Sequence, residues 1–188
     1  MQHDVIEIAL VQIDGIMRIF SALLRIGTIE AGAGRARFQP VDLSEIMHRV
    51  LLAYQPVAED GGRQINGSID LGIQIDGDAD LLAQMFTNLI DNSLTHTPPG
   101  TLIELSLHAE GNRLVAKVKD NRPGVPMEER ENLLKRFYRL DASRTTIGAG
   151  LGLALVMAIA DLHNARFTLC DTRSGLDARI IWPTDNKP

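Results

Sequence analysis

The segment GAGLGLALV, Gly148 to Val156, sets three glycines on alternate positions and passes at once into a stretch that is apolar through Leu162 but for Asp161. A helix apolar on every side has no face to give to water, so Leu153 to Leu162 is predicted to be buried in the interior. The glycine loop at its mouth offers bare backbone N–H groups at the positive end of a helix dipole, a setting that favours an anion. Packing against a sheet explains one glycine there and explains three on alternate positions less well. The loop has no Lys-Ser/Thr of a P-loop, and it comes after an arginine-bearing polar segment instead of a strand, so neither a P-loop nor a Rossmann turn fits.

The other periodicities build the layers around that helix. A helix from Asp42 to about Ala58, capped by Asp42 or Ser44, turns Ile46, Val50 and Leu51 inward and stops at EDGGR. Short strands are expected at Gln64 to Ile69 and Gly72 to Ile75, then a helix from Ala79 to Thr95 that PPG terminates. Ile103, Leu105 and Leu107 alternate with Glu104, Ser106 and His108, turn through EGN and return as Leu114, Ala116 and Val118, the pattern of a hairpin. A short helix is expected near Met127 to Lys135, and after the buried helix Phe167 to Asp171 and Ala178 to Trp182 read as a closing hairpin. The fold class is α+β: a two-layer α/β sandwich whose mixed, mostly antiparallel sheet carries helices on one face, preceded by a long N-terminal helix. At 188 residues and 45% hydrophobic content the chain can bury such a core.

In the N-terminal helix, Ile6, Ala9, Ile13, Ile16, Phe20 and Leu23 alternate spacings of three and four, and Leu10, Met17 and Leu24 widen the stripe. The glycines of GTIEAGAGR are expected to end it and to set it apart from the rest of the chain. So wide an apolar face needs a partner, most simply a second copy in a homodimeric bundle. A net charge of −5 argues against a broad nucleic-acid-binding face, and the single Cys170 fits a reducing compartment. The start MQHDVIEIAL lacks the positive charge of a signal peptide, and no apolar run reaches the roughly twenty residues of a membrane span, so a soluble, cytoplasmic piece is expected, with a parent protein that membranes can anchor.

Chemistry is concentrated in a few places. Gln84, Asn88, Asn92 and His96 project from one face of the Ala79 helix, and amide oxygens are hard ligands that suit Mg²⁺, although a solvated polar face is the plainer explanation for that helix taken alone. In VKDNRPGVP, Asp120 leaves a strand into a Pro-Gly turn, where a carboxylate can meet an exocyclic amine or serve the turn itself. LLKRFYRLDASR gathers Lys135, Arg136, Arg139 and Arg144, enough to neutralise a polyphosphate or to form an ordinary charged surface.

Taken in order, NLIDNSLTHTP, DNRPGVP, RFYRLDASR and GAGLGLALV resemble the N, G1, F and G2 boxes of bacterial sensor histidine kinases, relatives of DNA gyrase, heat-shock chaperone ATPases and mismatch-repair ATPases. The resemblance covers about Val41 to Trp182 and implies an ATP-binding catalytic domain over 35–188. Residues 1–34 would form the second helix of the dimerisation and phosphotransfer hairpin, with its linker. By this resemblance Asn92 binds Mg²⁺ with Asn88 beside it, and both are catalytic. Asp120 reads adenine, Gly124 lets backbone approach the base, Arg139 and Arg144 reach the phosphates from a lid, and Gly148, Gly150, Leu151 and Gly152 wrap the triphosphate. The implied reaction moves the γ-phosphoryl group of Mg·ATP to a histidine, leaving ADP, for relay to a response regulator.

The chain departs from the family pattern in three respects. None of its five histidines has the sequence context of the family's phosphoacceptor. Arg122 stands where the G1 box usually has glycine, and Thr95 where the N box usually carries Lys or Arg, a charged phosphate contact of the kind worth roughly 1.5 to 3 kcal/mol. Two alternatives stay open on these grounds: a degenerate module that holds a partner in an anti-sigma-like or phosphotransfer role, and a hydrolytic ATPase. The latter's relatives use glutamate where Asn88 stands, so little hydrolysis is expected.

Overall fold

A computed structural model describes residues 2–30, 33–121, 124–139, 150–172 and 175–183. Along the chain run α1 (Gln2–Glu30), a 3-10 turn (Ala33–Arg37), β1 (Gln39–Asp42), α2 (Leu43–Asp60), β2 (Gln64–Ile69), β3 (Gln74–Gly77), α3 (Ala79–His96), β4 (Leu102–Ala109), β5 (Arg113–Asp120), α4 (Met127–Leu133), α5 (Gly152–Leu162), β6 (Arg166–Thr172) and β7 (Gly175–Pro183). A five-stranded sheet has the order β2-β4-β5-β7-β6, and β1 and β3 form a separate antiparallel pair. Only the β2–β4 pairing in the large sheet is parallel.

Alternation along the strands decides where the helices sit. Ile103, Leu105 and Leu107 of β4, Leu114, Ala116 and Val118 of β5, and Ala178, Ile180 and Trp182 of β7 are all buried in one cluster with Leu82, Phe86 and Ile90 of α3 and Leu155 and Ile159 of α5. Their neighbours in sequence point the other way and make exposed ion pairs, Lys119 across the strands with Glu104 at 3.8 Å and Lys117 with Glu110 of the hairpin turn at 3.1 Å. Each fully buried large apolar side chain contributes about 1.5–3 kcal/mol, whereas exposed pairs of this kind contribute well under that, so the apolar face fixes the sandwich. The apolar segment of α5 lies against α3 and α1 and touches β6, which supplies the cover its composition requires.

Helix starts obey their caps. Asp42 Oδ1 accepts from the N–H of Glu45 at 3.0 Å, while the buried Ser44 hydroxyl accepts from Ile73 N–H, so Asp42 is the cap and Ser44 a tie to the next segment. Asp78 Oδ1 caps α3 by accepting from Asp80 and Leu81 N–H. The second short strand begins two residues later than expected because Gly72, at φ +73°, is spent in the turn before it.

The N-terminal helix corrects the sequence reading. It runs through Gly27 to Glu30, and Ile26 and Ile29 belong to the same core as the sheet, so its last turns are joined to the sandwich and do not stand apart. Gly27 faces outward with open space around it, and its helix penalty of about 1 kcal/mol is outweighed by the two isoleucines it brings inward. Further up, Leu10, Ile13, Ile16, Met17, Phe20 and Leu24 are each more than half exposed. No helix among the described residues is long and apolar enough to cross a membrane.

Candidate functional site

α3 packs on both α5 and β5. His163 after the end of α5 accepts from the N–H of Asp78 at the start of α3, which directs the start of α5 towards the later turns of α3, and Asn121 ties the end of β5 to Leu102, just beyond α3. On α3, Asn88 and Asn92 are half-buried one turn apart. The side-chain N–H₂ of Asn88 is buried and has no hydrogen-bond partner, an unmet donor of the kind that costs about 1–3 kcal/mol. A plain solvated face, the simpler explanation from sequence, does not leave a buried amide unmet. One turn earlier Gln84 accepts a hydrogen bond from Arg25 of α1. One turn later His96 has its pKa lowered by partial burial and by the positive charge of Arg139, which sets that arginine beside the last turn of α3.

Asp120 is the final residue of β5 and is buried with Val118 on the helix side of the sheet, although its side chain is polar. Asn121 does the local work of ending the strand: its N–H donates to Leu102 O at 3.2 Å and its side-chain oxygen accepts from Leu102 N–H at 3.0 Å. Gly124 lies exposed beyond the turn.

The N-cap of α5 is Leu151, whose side chain makes no capping hydrogen bond, so among the described residues no side chain caps the N–H groups of its first turn. Gly152 is exposed with nothing within 4 Å of where a Cβ would stand, while the Leu151 side chain is buried, so backbone is what Leu151 can offer a ligand. Gly150 has φ +68°, and a Cβ there would lie 2.6 Å from Tyr138 O and 2.9 Å from the carbonyl carbon of Phe137. Its carbonyl accepts from Phe137 N–H at 3.0 Å, and Phe137 itself has φ +63°. The two ends of the segment between them are therefore pinned together. Arg144 and Gly148, like Arg122, lie outside the described residues.

The basic cluster divides on inspection. Lys135 donates to Asn132 and Arg136 pairs with Glu30 of α1, so these two are engaged away from α3, whereas Arg139 is beside it. Two groups escaped the sequence reading. Tyr138 donates to Glu129, fastening α4 to the segment after it, and Asn132 of α4 donates to the same carboxylate. His163 is buried at the far end of α5, stacked on Phe38 at 4.7 Å, with Nδ1 to Ile159 O and Nε2 accepting from Asp78 N–H. It ties α5 to the cap of α3. Nothing in local periodicity marks either contact, since both join segments that only the fold brings together.

Comparison with known proteins gives the family and the fold. Residues 77–186 match the family described as histidine kinase-, DNA gyrase B-, and HSP90-like ATPase. The signal transduction histidine-protein kinase/phosphatase MprB of Mycolicibacterium smegmatis is 34% identical over 145 residues, 76% of this chain and 29% of that protein. Among solved structures, full-length ShkA in complex with AMPPNP superposes with a TM-score of 0.74 at 24% identity, covering 89% of this chain and 35% of that one. The histidine kinase ThkA in complex with the response regulator protein TrrA gives 0.66 at 17% identity, covering 78% and 42%. The chain belongs to the histidine kinase, DNA gyrase B and HSP90-like ATPase family. Its ATP-binding domain is of the kind found in sensor histidine kinases, and the chain spans about a third of the length of the curated relatives it matches.

Proposed function

We propose that residues 35–188 are the catalytic domain of a sensor histidine kinase, which transfers the γ-phosphoryl group of Mg·ATP to a histidine on a partner segment. The bond from phosphorus to the β-bridging oxygen breaks, a bond to an imidazole nitrogen forms, and ADP leaves. The observation that carries this reading is the buried, unmet amide of Asn88 beside Asn92, on a helix that packs against the glycine-led start of α5. Among the described residues no group of three or more His, Cys, Asp and Glu could hold a metal by itself, so the residues present fit a magnesium ion carried chiefly by phosphate oxygens, with Asn92 as its protein ligand. Magnesium supplies charge neutralisation on the phosphates.

The chain's own residues align and exclude. Asn88 donates to a ligand acceptor, Asp120 accepts from the purine's exocyclic amine and Gly124 admits the base. Arg139, with Arg144, meets phosphate charge, and Gly148, Gly150, Leu151 and Gly152 supply backbone donors. Residues 1–34 are proposed as the second helix of the dimerisation hairpin and its linker, with a homodimer formed through the exposed stripe of α1. A response regulator is the proposed recipient of the phosphoryl group, as ThkA's complex suggests for a protein of this fold. The site works on the cytoplasmic side, where ATP is supplied.

The test is phosphoryl transfer from radiolabelled Mg·ATP to a separately supplied acceptor hairpin of a related kinase. Acid-labile, base-stable label on the hairpin is expected. Protein that binds Mg·ATP yet labels no hairpin from several relatives contradicts the kinase reading.

A further inference from the structure

We propose that Gly175 is a positioning residue for base recognition: by lacking a side chain it lets the start of β7 close on the backbone of Asp120, and so fixes the carboxylate that faces the purine. The proposal rests on the reading of the site as a nucleotide site. A Cβ at Gly175 would stand 1.7 Å from Asp120 O, 2.6 Å from its carbonyl carbon and 3.1 Å from Oδ1. The first two are backbone atoms, so no rotamer change relieves the collision.

Asp120 has little freedom to retreat. On one side Asn121 bonds twice to Leu102 of β4, and on the other β5 is already in register with β7, Val118 opposite Ala178 and Lys119 opposite Asp177. The N–H of Leu176, next to the glycine, lies 3.5 Å from Asp120 Oδ1, at the outer limit of a hydrogen bond. A side chain at 175 therefore pushes on the base-reading carboxylate. The phosphate-facing groups lie on α3 and at the start of α5, different elements from β7.

That division gives the test. Calorimetry on the full chain compares Mg·ATP with Mg·tripolyphosphate, which has the phosphates without the base. In Gly175→Ala, affinity for Mg·ATP is expected to fall by about tenfold or more, while that for Mg·tripolyphosphate stays within about twofold. Gly111→Ala, also at positive φ (+59°) but with nothing within 4 Å, controls for backbone strain alone and is expected to move neither. Unchanged ATP affinity in a folded G175A protein overturns the proposal, as does equal loss of both ligands. Should G175A not fold, hydrogen exchange of wild-type Leu176 N–H decides. Slowing with Mg·ATP but not with tripolyphosphate supports the role, and the same response to both, or to neither, overturns it. Wild-type protein that takes up neither ligand overturns the nucleotide reading and this inference together.

Discussion

At the scale of single side chains the proposed site rests on Asn88, Asn92 and Asp120, each a polar group that the fold buries fully or in part. Taking such a group out of water is unfavourable and a bound ligand recovers part of the cost, so truncating it removes ligand binding more than it removes stability. Asn92→Ala and Asp120→Ala are each expected to weaken Mg·ATP binding at least about a hundredfold, roughly 2.7 kcal/mol, as read by calorimetry. Retention of affinity within a few-fold in either variant refutes its assigned role. Thr95 is exposed on the last turn of α3, at the place the resemblance assigns to a Lys or Arg of the N box, and Thr95→Lys is expected to tighten Mg·ATP binding by about tenfold at low salt, with the gain shrinking as salt rises. His163 gives a pH dependence. Its pKa is lowered from 6.5, chiefly by burial, so the unfolded chain binds a proton that the folded protein resists. Its contribution is complete above pH 6.5 and is lost as pH falls below that towards the folded value. The melting temperature should drop between pH 7 and pH 5, and less steeply in His163→Gln. His96 is shifted in the same direction and is present in both proteins, so only the difference between the two curves reports His163.

Elements show which parts of the architecture local pattern can specify. The strand Gln64–Ile69 and the helix Ala79–His96 lie almost where the sequence reading puts them, since signals such as the PPG stop act within a few residues. Helix α1 is different. Its sequence stripe reads as far as Leu24, but the residues that join the domain core are Ile26 and Ile29 beyond it, while Leu10, Ile13, Ile16, Met17, Phe20 and Leu24 stay exposed. Local glycine penalties predict a break at Gly27, and burial overrides them. The same limit hid the Arg136–Glu30 pair and the Arg25–Gln84 contact, which join residues far apart in sequence. For the exposed half, sedimentation velocity is expected to show a dimer that Phe20→Asp converts to a monomer with little change in melting temperature. A wild-type monomer at high concentration, or a dimer indifferent to Phe20→Asp, contradicts pairing through that face.

As a whole molecule, the chain is a sandwich in which the amide-bearing helix packs on both the strand that ends in Asp120 and the helix that follows Leu151. The motifs that mark these groups are readable because each is short and contiguous in sequence. The close approach of Gly175 to Asp120 is not, because the only trace it leaves is a glycine in an ordinary-looking turn. All the functional assignments share one premise, a nucleotide whose phosphates are bridged by magnesium between α3 and the start of α5. Titration calorimetry of wild-type protein with a non-hydrolysable Mg·ATP analogue tests it most directly. Saturable one-to-one binding that disappears when magnesium is chelated is the expected result. Absence of binding at millimolar analogue in folded protein, or binding indifferent to magnesium, would contradict it.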